Sequence, residues 1–592
     1  MIKKFLPVNK KEMIERGWQQ ADFVLVTGDA YIDHPSFGTA IISRVLESHG
    51  YKVAILSQPD WKSADDFKTF GRPRLGFLIN SGNVDSMVNN YSVFKHRRKR
   101  DVYSPGGKPG RRPDRAVIVY SNRAKEAYKD VPVIIGGLEA SLRRFAHYDY
   151  WDDKVRRSII MDSRADILIY GMGEKAVVEI ADALDSGIAA SDISWIKGTS
   201  IRCRQPEIYE NDVLLPEYNE IVSSPEAYCR SFAMQYRGND SVTGERYIEK
   251  YDNSNYIIQN PPQEPLEREE LDSLYELPFM RDYHPAYKSN GGVPAIEEVK
   301  FSITANRGCF GGCAFCAITY HQGREVRSRS KESIVREAEL LAGLEGFKGY
   351  IHDVGGPTAN FRMPSCEKQK KHGMCRNRDC LFPKPCSQLK ADHTEYMEVL
   401  RAVRNVKGVK KVFIRSGIRY DYLLEDNKSG FLKELCDYHV SGILKVAPEH
   451  SSERVLRHMR KPSIEVFDRF SRMYRDMNRK LGKKQFMVPY FISSHPGCTL
   501  KDAVELAVYM KKTGFVPDQV QDFYPTPGTL ATCMYYTERD PFTMKPVYVA
   551  KSQEEKRMQR ALLHFNKKEN RETVKKALKK AGREELIKEL LR

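Results

Sequence analysis

No stretch of this chain reaches the ~18 consecutive apolar residues that a membrane span requires, so the sequence predicts no transmembrane helix and no membrane partner. Its opening, MIKKFLPVNKKEMIERGW, turns polar before a signal-peptide core could form, which makes a cytoplasmic location the expectation. A proper G-x-G-x-x-G is missing from the early strands, which weakens any dinucleotide reading. The first 200 residues contain no cysteine, so the chemistry served by the twelve thiols lies further on. In a reducing compartment those thiols favour metal over disulfides. Acidic residues are the scarcer sign, 78 against 96 basic, leaving a net charge of +18.

What is present is unevenly spread. Lys95–Arg115 holds nine basic and two acidic residues; Lys551–Arg592 holds fourteen and seven; each segment is net +7. A solvated loop and a solvated helix face are the plainer reading. The charge also permits binding to RNA phosphates.

At 592 residues the length prior allows roughly three to four domains. Residues 1–185 alternate strands (ADFVLVTGDA, YKVAILSQP, RLGFLINSG, VPVIIGGLEAS, ADILIYGMGE) with helices that stop at Gly50 and Gly187. This is the pattern of a doubly wound α/β sheet, whose ligands sit at the carboxyl ends of strands. Residues 186–295, rich in Pro, Tyr and charge, read as an extended connector. Residues 296–543 resume the alternation in six or so βα units, a barrel or partial barrel with its chemistry at the strand carboxyl ends. Residues 544–592 read as a basic helical tail.

Just after the first of these later strands comes RGCFGGCAFCAITY, with Cys309, Cys313 and Cys316 spaced C-x3-C-x2-C. Cubane iron–sulfur clusters usually take four thiolates, so three would leave one iron open to a small molecule. Gly308, Gly311 and Gly312 would let the loop curl until the sulfurs converge. Structural zinc wants four ligands, usually in paired C-x2-C knuckles. Four more cysteines, Cys366, Cys375, Cys380 and Cys386, lie in MPSCEKQKKHGMCRNRDCLFPKPC. Interleaved with Lys, Arg and Pro they are poor core material; a second iron–sulfur cluster is the favoured expectation and a four-thiolate zinc site the rival. Cys203, Cys229, Cys436, Cys498 and Cys533 read as scattered apolar fillers.

CFGGCAFC resembles the signature of the radical S-adenosylmethionine (SAM) superfamily, in which a three-Cys 4Fe-4S cluster binds the amino and carboxyl groups of SAM. HDVGGPTAN resembles its glycine motif, with Gly355-Gly356-Pro357 where a Glu is common in the third place. LKVAPEH, with Glu449, resembles a later strand that contacts SAM. Together with RGCFGGCAFCAITYHQGREVRSRS, IRSGIRYDYL, YPTPGTLATCMYYT, NPPQEPL and LPFMRDYHPAY, these segments closely resemble the YgiQ-like family over nearly the whole chain. The resemblance implies Cys309, Cys313 and Cys316 as cluster ligands, with Phe315, Gly355, Gly356 and Glu449 orienting SAM. It also implies an electron donor such as flavodoxin or ferredoxin. It brings no substrate.

The amino-terminal sheet resembles the cobalamin-binding-like domain that precedes many such barrels. A cobalt-ligating His would sit in D-x-H-x-x-G; here Asp33-His34-Pro-Ser-Phe-Gly38 departs from that spacing. A degenerate substrate- or partner-binding sheet is preferred over bound cobalamin. The expected function is reductive cleavage of SAM to start radical chemistry, with RNA modification as one option. The rival is a non-catalytic iron–sulfur redox or nucleic-acid-binding protein.

Overall fold

A computed structural model describes residues 4–515 and 520–591. Two compact units divide the chain: one runs to Lys300 and takes in Tyr320–Gly323; the other comprises Phe301–Thr319 and the chain from Arg324 on.

In the first unit nine strands form one sheet: β1 (Phe23–Thr27), β2 (Val53–Ser57), β3 (Gly76–Asn80), β4 (Val133–Ile135), β5 (Ile167–Ile169), β6 (Thr199–Cys203), β7 (Val213–Leu214), β8 (Tyr247–Asp252) and β9 (Asn255–Gln259). Their order is β7-β8-β9-β6-β5-β4-β3-β1-β2. From β2 to β5 every pairing is parallel. The apolar runs predicted as buried strands are buried on both faces: Phe23 and Leu25 enter one hydrophobic cluster, Val24 and Val26 the other. That is the doubly wound arrangement. Gly50 and Gly187, at positive φ, end the two helices as expected.

The segment read as an extended connector is different. Residues 199–259 supply four more strands, β6 to β9, with antiparallel steps β5/β6, β6/β9 and β8/β9. Ile201, Ile248 and Ile258 pack into one face of the same core. Charged residues within the strands, such as Arg202, Glu249 and Lys250, hide this pattern, although the strands bury both faces, with Tyr247, Tyr251 and Ile257 in the opposite cluster.

In the second unit the strands come as parallel βα steps: β10 (Ser302–Thr304), β11 (Asp353–Gly355), β12 (Lys411–Val412), β13 (Ile443–Glu449), β14 (Phe486–Ser493) and β15 (Gln521–Asp522). Tyr350–Ile351, just before β11, pairs in parallel with β12. Helices Lys331–Ala342, Thr394–Arg404, Ile464–Lys480 and Leu500–Thr513 lie between them. The helix from Lys331 starts because the Ser330 side chain accepts from the Ser333 N–H, and it buries Ile334, Ala338 and Leu341 at i, i+4 and i+7. Part of the strand expected in VPDQVQDFYPTPG lies outside the described residues. The tail is helical, as expected, yet it is not a free appendage. Gln559, fully buried in helix Gln553–Leu563, donates to the Cys498 carbonyl (3.0 Å) and accepts from the Ser494 N–H (3.1 Å). Among the described residues no helix is long and apolar enough to cross a membrane.

Candidate metal and cofactor site

The three-cysteine loop leaves β10 through Asn306–Arg307, which pairs with Arg327–Ser328. Gly308 and Gly312 adopt φ of +76° and +62°, a region open mainly to glycine. A Cβ on Gly308 would lie 1.8 Å from the Glu325 carbonyl oxygen. Gly311 is needed for a different reason: its Cβ would sit 2.6 Å from Arg419 Nη1.

Donors are aimed at the sulfurs. The Gly311 N–H donates to Cys309 Sγ at 3.4 Å, Thr358 Oγ1 lies 3.6 Å from the same sulfur, and Arg419 Nη1 donates to Cys313 Sγ at 3.4 Å. Burial pushes the Cys316 thiol up to about 12, and the Cys313 and Cys309 thiolates repel its charge further. Burial and Cys313 push Cys309 up as well. Cys309 and Cys316, held up by burial and by the neighbouring Cys313, need a cationic centre before they deprotonate. The donor set therefore fits a cluster. Among the described residues no three His, Cys, Asp or Glu side chains converge on a single-ion point; a cubane spreads its thiolates over separate irons.

The carboxyl ends of the neighbouring strands hold buried acceptors with no protein donor. Asn306 Oδ1 is one, and Glu449 Oε2, at the end of β13, is another. Glu449 is 6% exposed, held at φ +72°, with its other oxygen 3.8 Å from Lys461 Nζ; burial raises its pKa. An unpaired buried oxygen costs roughly 1–3 kcal/mol, a cost that an ammonium donor would remove. Gly356 packs on Asn306, where a Cβ would fall 2.5 Å from two of its oxygens, and Gly355 packs on Ser416. Phe315 meets the His495 ring edge-on at 5.9 Å. His495 donates from Nδ1 to the Pro496 carbonyl (2.7 Å), which leaves Nε2 as a buried acceptor without a partner. Desolvation lowers its pKa to about 3, so the ring is neutral.

Cys366, Cys375, Cys380 and Cys386, set apart in sequence, line one open pocket with Met374, Arg378 and Asp379. Burial pushes Cys380 up to about 11, against a lowering contact from Ser365; Cys366 and Cys375 add repulsion. Asp379, beside Cys380, pairs with Arg460 at 2.8 Å and lies 3.3 Å from where a Cβ on Gly312 would be. Cys309 and Cys380 pack against one small apolar cluster that includes Phe310, Phe361 and Tyr422. The Phe310 and Phe361 rings stack at 3.8 Å. The two cysteine loops are therefore neighbours. Of the five cysteines read as fillers, four are buried and Cys203 is half-buried.

In the first unit the crevice outside β1 and β3, where the strand order turns, is filled by the chain itself. Arg112, 1% exposed, donates to Asp29 (2.6 Å) and to the Ser81 carbonyl (2.9 Å), and reaches Asp101 at 3.5 Å. His34 is buried and accepts from the Ser36 N–H through Nδ1 at 3.1 Å, which assigns the proton to Nε2. A ring with its proton on Nε2 has no lone pair there for cobalt. His34 is therefore not set as an axial cobalt ligand.

Sequence reading missed Arg419, Asp379, Arg460 and His495. Arg419 and Asp379 stand in quoted segments, but nothing in their spacing tied them to the three-cysteine loop.

A sequence profile described as Radical SAM N-terminal matches residues 5–302, one described as Radical SAM superfamily matches 303–509, and a domain of unknown function matches 518–589. A UPF0313 protein of Clostridium perfringens is 57% identical over 585 residues, covering 99% of this chain and 88% of its own length. One from Clostridium botulinum is 55% identical over 583 residues, covering 98% and 90%. Among solved structures, the radical SAM methyltransferase TsrM from Kitasatospora setae aligns at 15% identity and a TM-score of 0.46, over 86% of this chain and 74% of its own. The cobalamin-dependent SAM radical enzyme OxsB aligns at 11% and 0.45, over 92% and 60%. The chain belongs to the UPF0313 (YgiQ-like) family and is a radical SAM enzyme.

Proposed function

We propose that this enzyme holds a 4Fe-4S cluster on Cys309, Cys313 and Cys316, binds SAM on the open iron, and acts on RNA. When bound, the cluster and SAM supply one-electron cleavage of the carbon–sulfur bond and a 5′-deoxyadenosyl radical. The chain's own residues hold and shield that chemistry. Glu449 Oε2 and Asn306 Oδ1 would accept from the SAM ammonium, Gly355 and Gly356 would keep the strand end narrow, and Phe315 would cover one side. The single observation that carries this reading is the pairing of donors at the sulfurs with unpartnered buried acceptors at the strand ends.

RNA would be held at the basic loop. Lys95, His96, Arg97, Arg98, Lys99 and Arg100 are exposed in succession. Arg97, Arg98 and Arg100 line an open pocket with Asn89 and Asn90. Backbone bonds from Arg98 to Asn90 and from Asp101 to Gly107 fix the loop, so phosphate binding would cost little further ordering. A second metal, read as iron–sulfur rather than zinc, belongs to the Cys366, Cys375, Cys380 and Cys386 pocket. A flavodoxin or ferredoxin in the cytoplasm would supply electrons. The test is anaerobic: the reconstituted, reduced protein should release 5′-deoxyadenosine from SAM. A reduced, cluster-loaded protein that releases none would favour a non-catalytic iron–sulfur or nucleic-acid-binding role.

A further inference from the structure

We propose that Arg419 is a positioning residue that sets the reduction potential of the cluster on Cys309, Cys313 and Cys316, a proposal that rests on the cluster reading of those cysteines. Its geometry leaves little freedom. The Arg419 N–H donates to Asn360 Oδ1 (2.9 Å), and its carbonyl accepts from Asn360 Nδ2 (3.2 Å), so one side-chain amide clamps the backbone from both sides. Asn360 is itself held by His393 (3.0 Å), whose other ring nitrogen lies 2.6 Å from Asp426. The guanidinium forks onto Asp421, Nε to Oδ1 at 2.8 Å and Nη2 to Oδ2 at 2.6 Å. That planar fork fixes the side chain. Nη1 is left for the three-cysteine loop, where it meets the Gly311 carbonyl and Cys313 Sγ, each at 3.4 Å. The missing Cβ of Gly311 is what admits it.

A fixed cation and an N–H···S bond at a ligand sulfur favour the more negative state of a cluster; hydrogen bonds to sulfur and local charge are the protein's levers on potential. Reduction adds one electron, from dithionite in the assay or from a flavodoxin or ferredoxin in the cell, and moves no proton. Removing the cation should therefore make the electron harder to add. Removing the carboxylate that partly offsets it should make the electron easier to add. The two substitutions pull in opposite directions, which a purely structural brace would not do.

The test is an EPR-monitored redox titration of the reconstituted full chain, with iron content measured beside it. Arg419→Met should lower the midpoint by about a tenfold change in the reduction equilibrium, about 59 mV for a one-electron couple. Arg419→Lys, which keeps the charge, should stay near wild type. Asp421→Asn should raise the midpoint. If Arg419→Met holds no cluster, the sign of the Asp421→Asn shift decides the matter: upward supports the proposal, unchanged or downward overturns it. An unmoved midpoint in iron-replete Arg419→Met also overturns it while leaving the cluster reading intact. A wild type that assembles no cluster would overturn that reading and this proposal with it.

Discussion

Both units present the carboxyl ends of parallel strands, and the two sets of ends are finished in opposite ways. In the first unit Arg112 lies across β1 and β3 and ties Asp29, Ser81 and Asp101 together. Gln58 and Ser104 extend that network, with Gln58 Nε2 donating to Ser104 Oγ and Ser104 Oγ donating to Asp101. In the second unit Asn306 and Glu449 end their strands with buried oxygens that meet no protein donor, in the unit that carries the three-cysteine loop, where burial holds the Cys309 and Cys316 thiols up. One fold class thus carries an arginine laid across its strand ends in one unit and unpaired acceptors at them in the other. The lesson is that strand–helix alternation locates where a ligand could bind, while the kind of group left unpaired differs: acceptors beside the cysteine loop in the second unit, Arg112 Nε and His34 Nε2 in the first.

Breaking the arginine-tied end should have the largest effect. Arg112→Met leaves Asp29 and Asp101 facing each other without a cation, and loss of one partner of a buried pair costs about 3–5 kcal/mol. A chemical-denaturation midpoint should fall accordingly, and Asp29→Asn in the same background should recover part of it. Acid probes the first unit next. Burial and Arg143 hold the His147 pKa down at about 4, so the neutral ring contributes stability that is fully present above the unfolded value of about 6.5. That stability is lost as pH falls from 6.5 toward 4, about 3 kcal/mol by linkage. Melting temperature should drop across this window, and His147→Asn should flatten the slope.

Altering the second cysteine pocket should change metal more than fold. Alanine at Cys366, Cys375, Cys380 and Cys386 together should remove about four irons, the content of one cubane cluster. Loss of a single zinc would make the loop a structural clip. The smallest effect on stability belongs to the basic loop. Glu at Arg97, Arg98 and Arg100 should move stability by no more than about 0.5 kcal/mol, yet weaken RNA binding and flatten its salt dependence. Unchanged RNA affinity would return the loop to a solvated role.

The strands from β1 to β5 and the three-cysteine loop were legible because each carries a local signal, an apolar run or a fixed spacing. β6 to β9 were not, since charged residues such as Arg202, Glu249 and Lys250 interrupt their apolar pattern. Arg419 lies more than a hundred residues from Cys313, and only the folding of β10 to β13 brings them to 3.4 Å. Glu449 was reached through resemblance, but its unpaired oxygen and positive φ are properties of the fold. Gly311 was read as giving the loop freedom to curl; its structural use is to make room for a guanidinium.

The central claim is that the strand ends of the second unit are the SAM-cleaving site. It is tested most directly by comparing the reduced, reconstituted wild type with a Cys309→Ala, Cys313→Ala, Cys316→Ala variant. Iron and 5′-deoxyadenosine would be measured on the same samples. The account predicts product from the wild type, none from the variant, and loss of about four irons. A variant that keeps its full iron and still cleaves SAM would place the site elsewhere and contradict it.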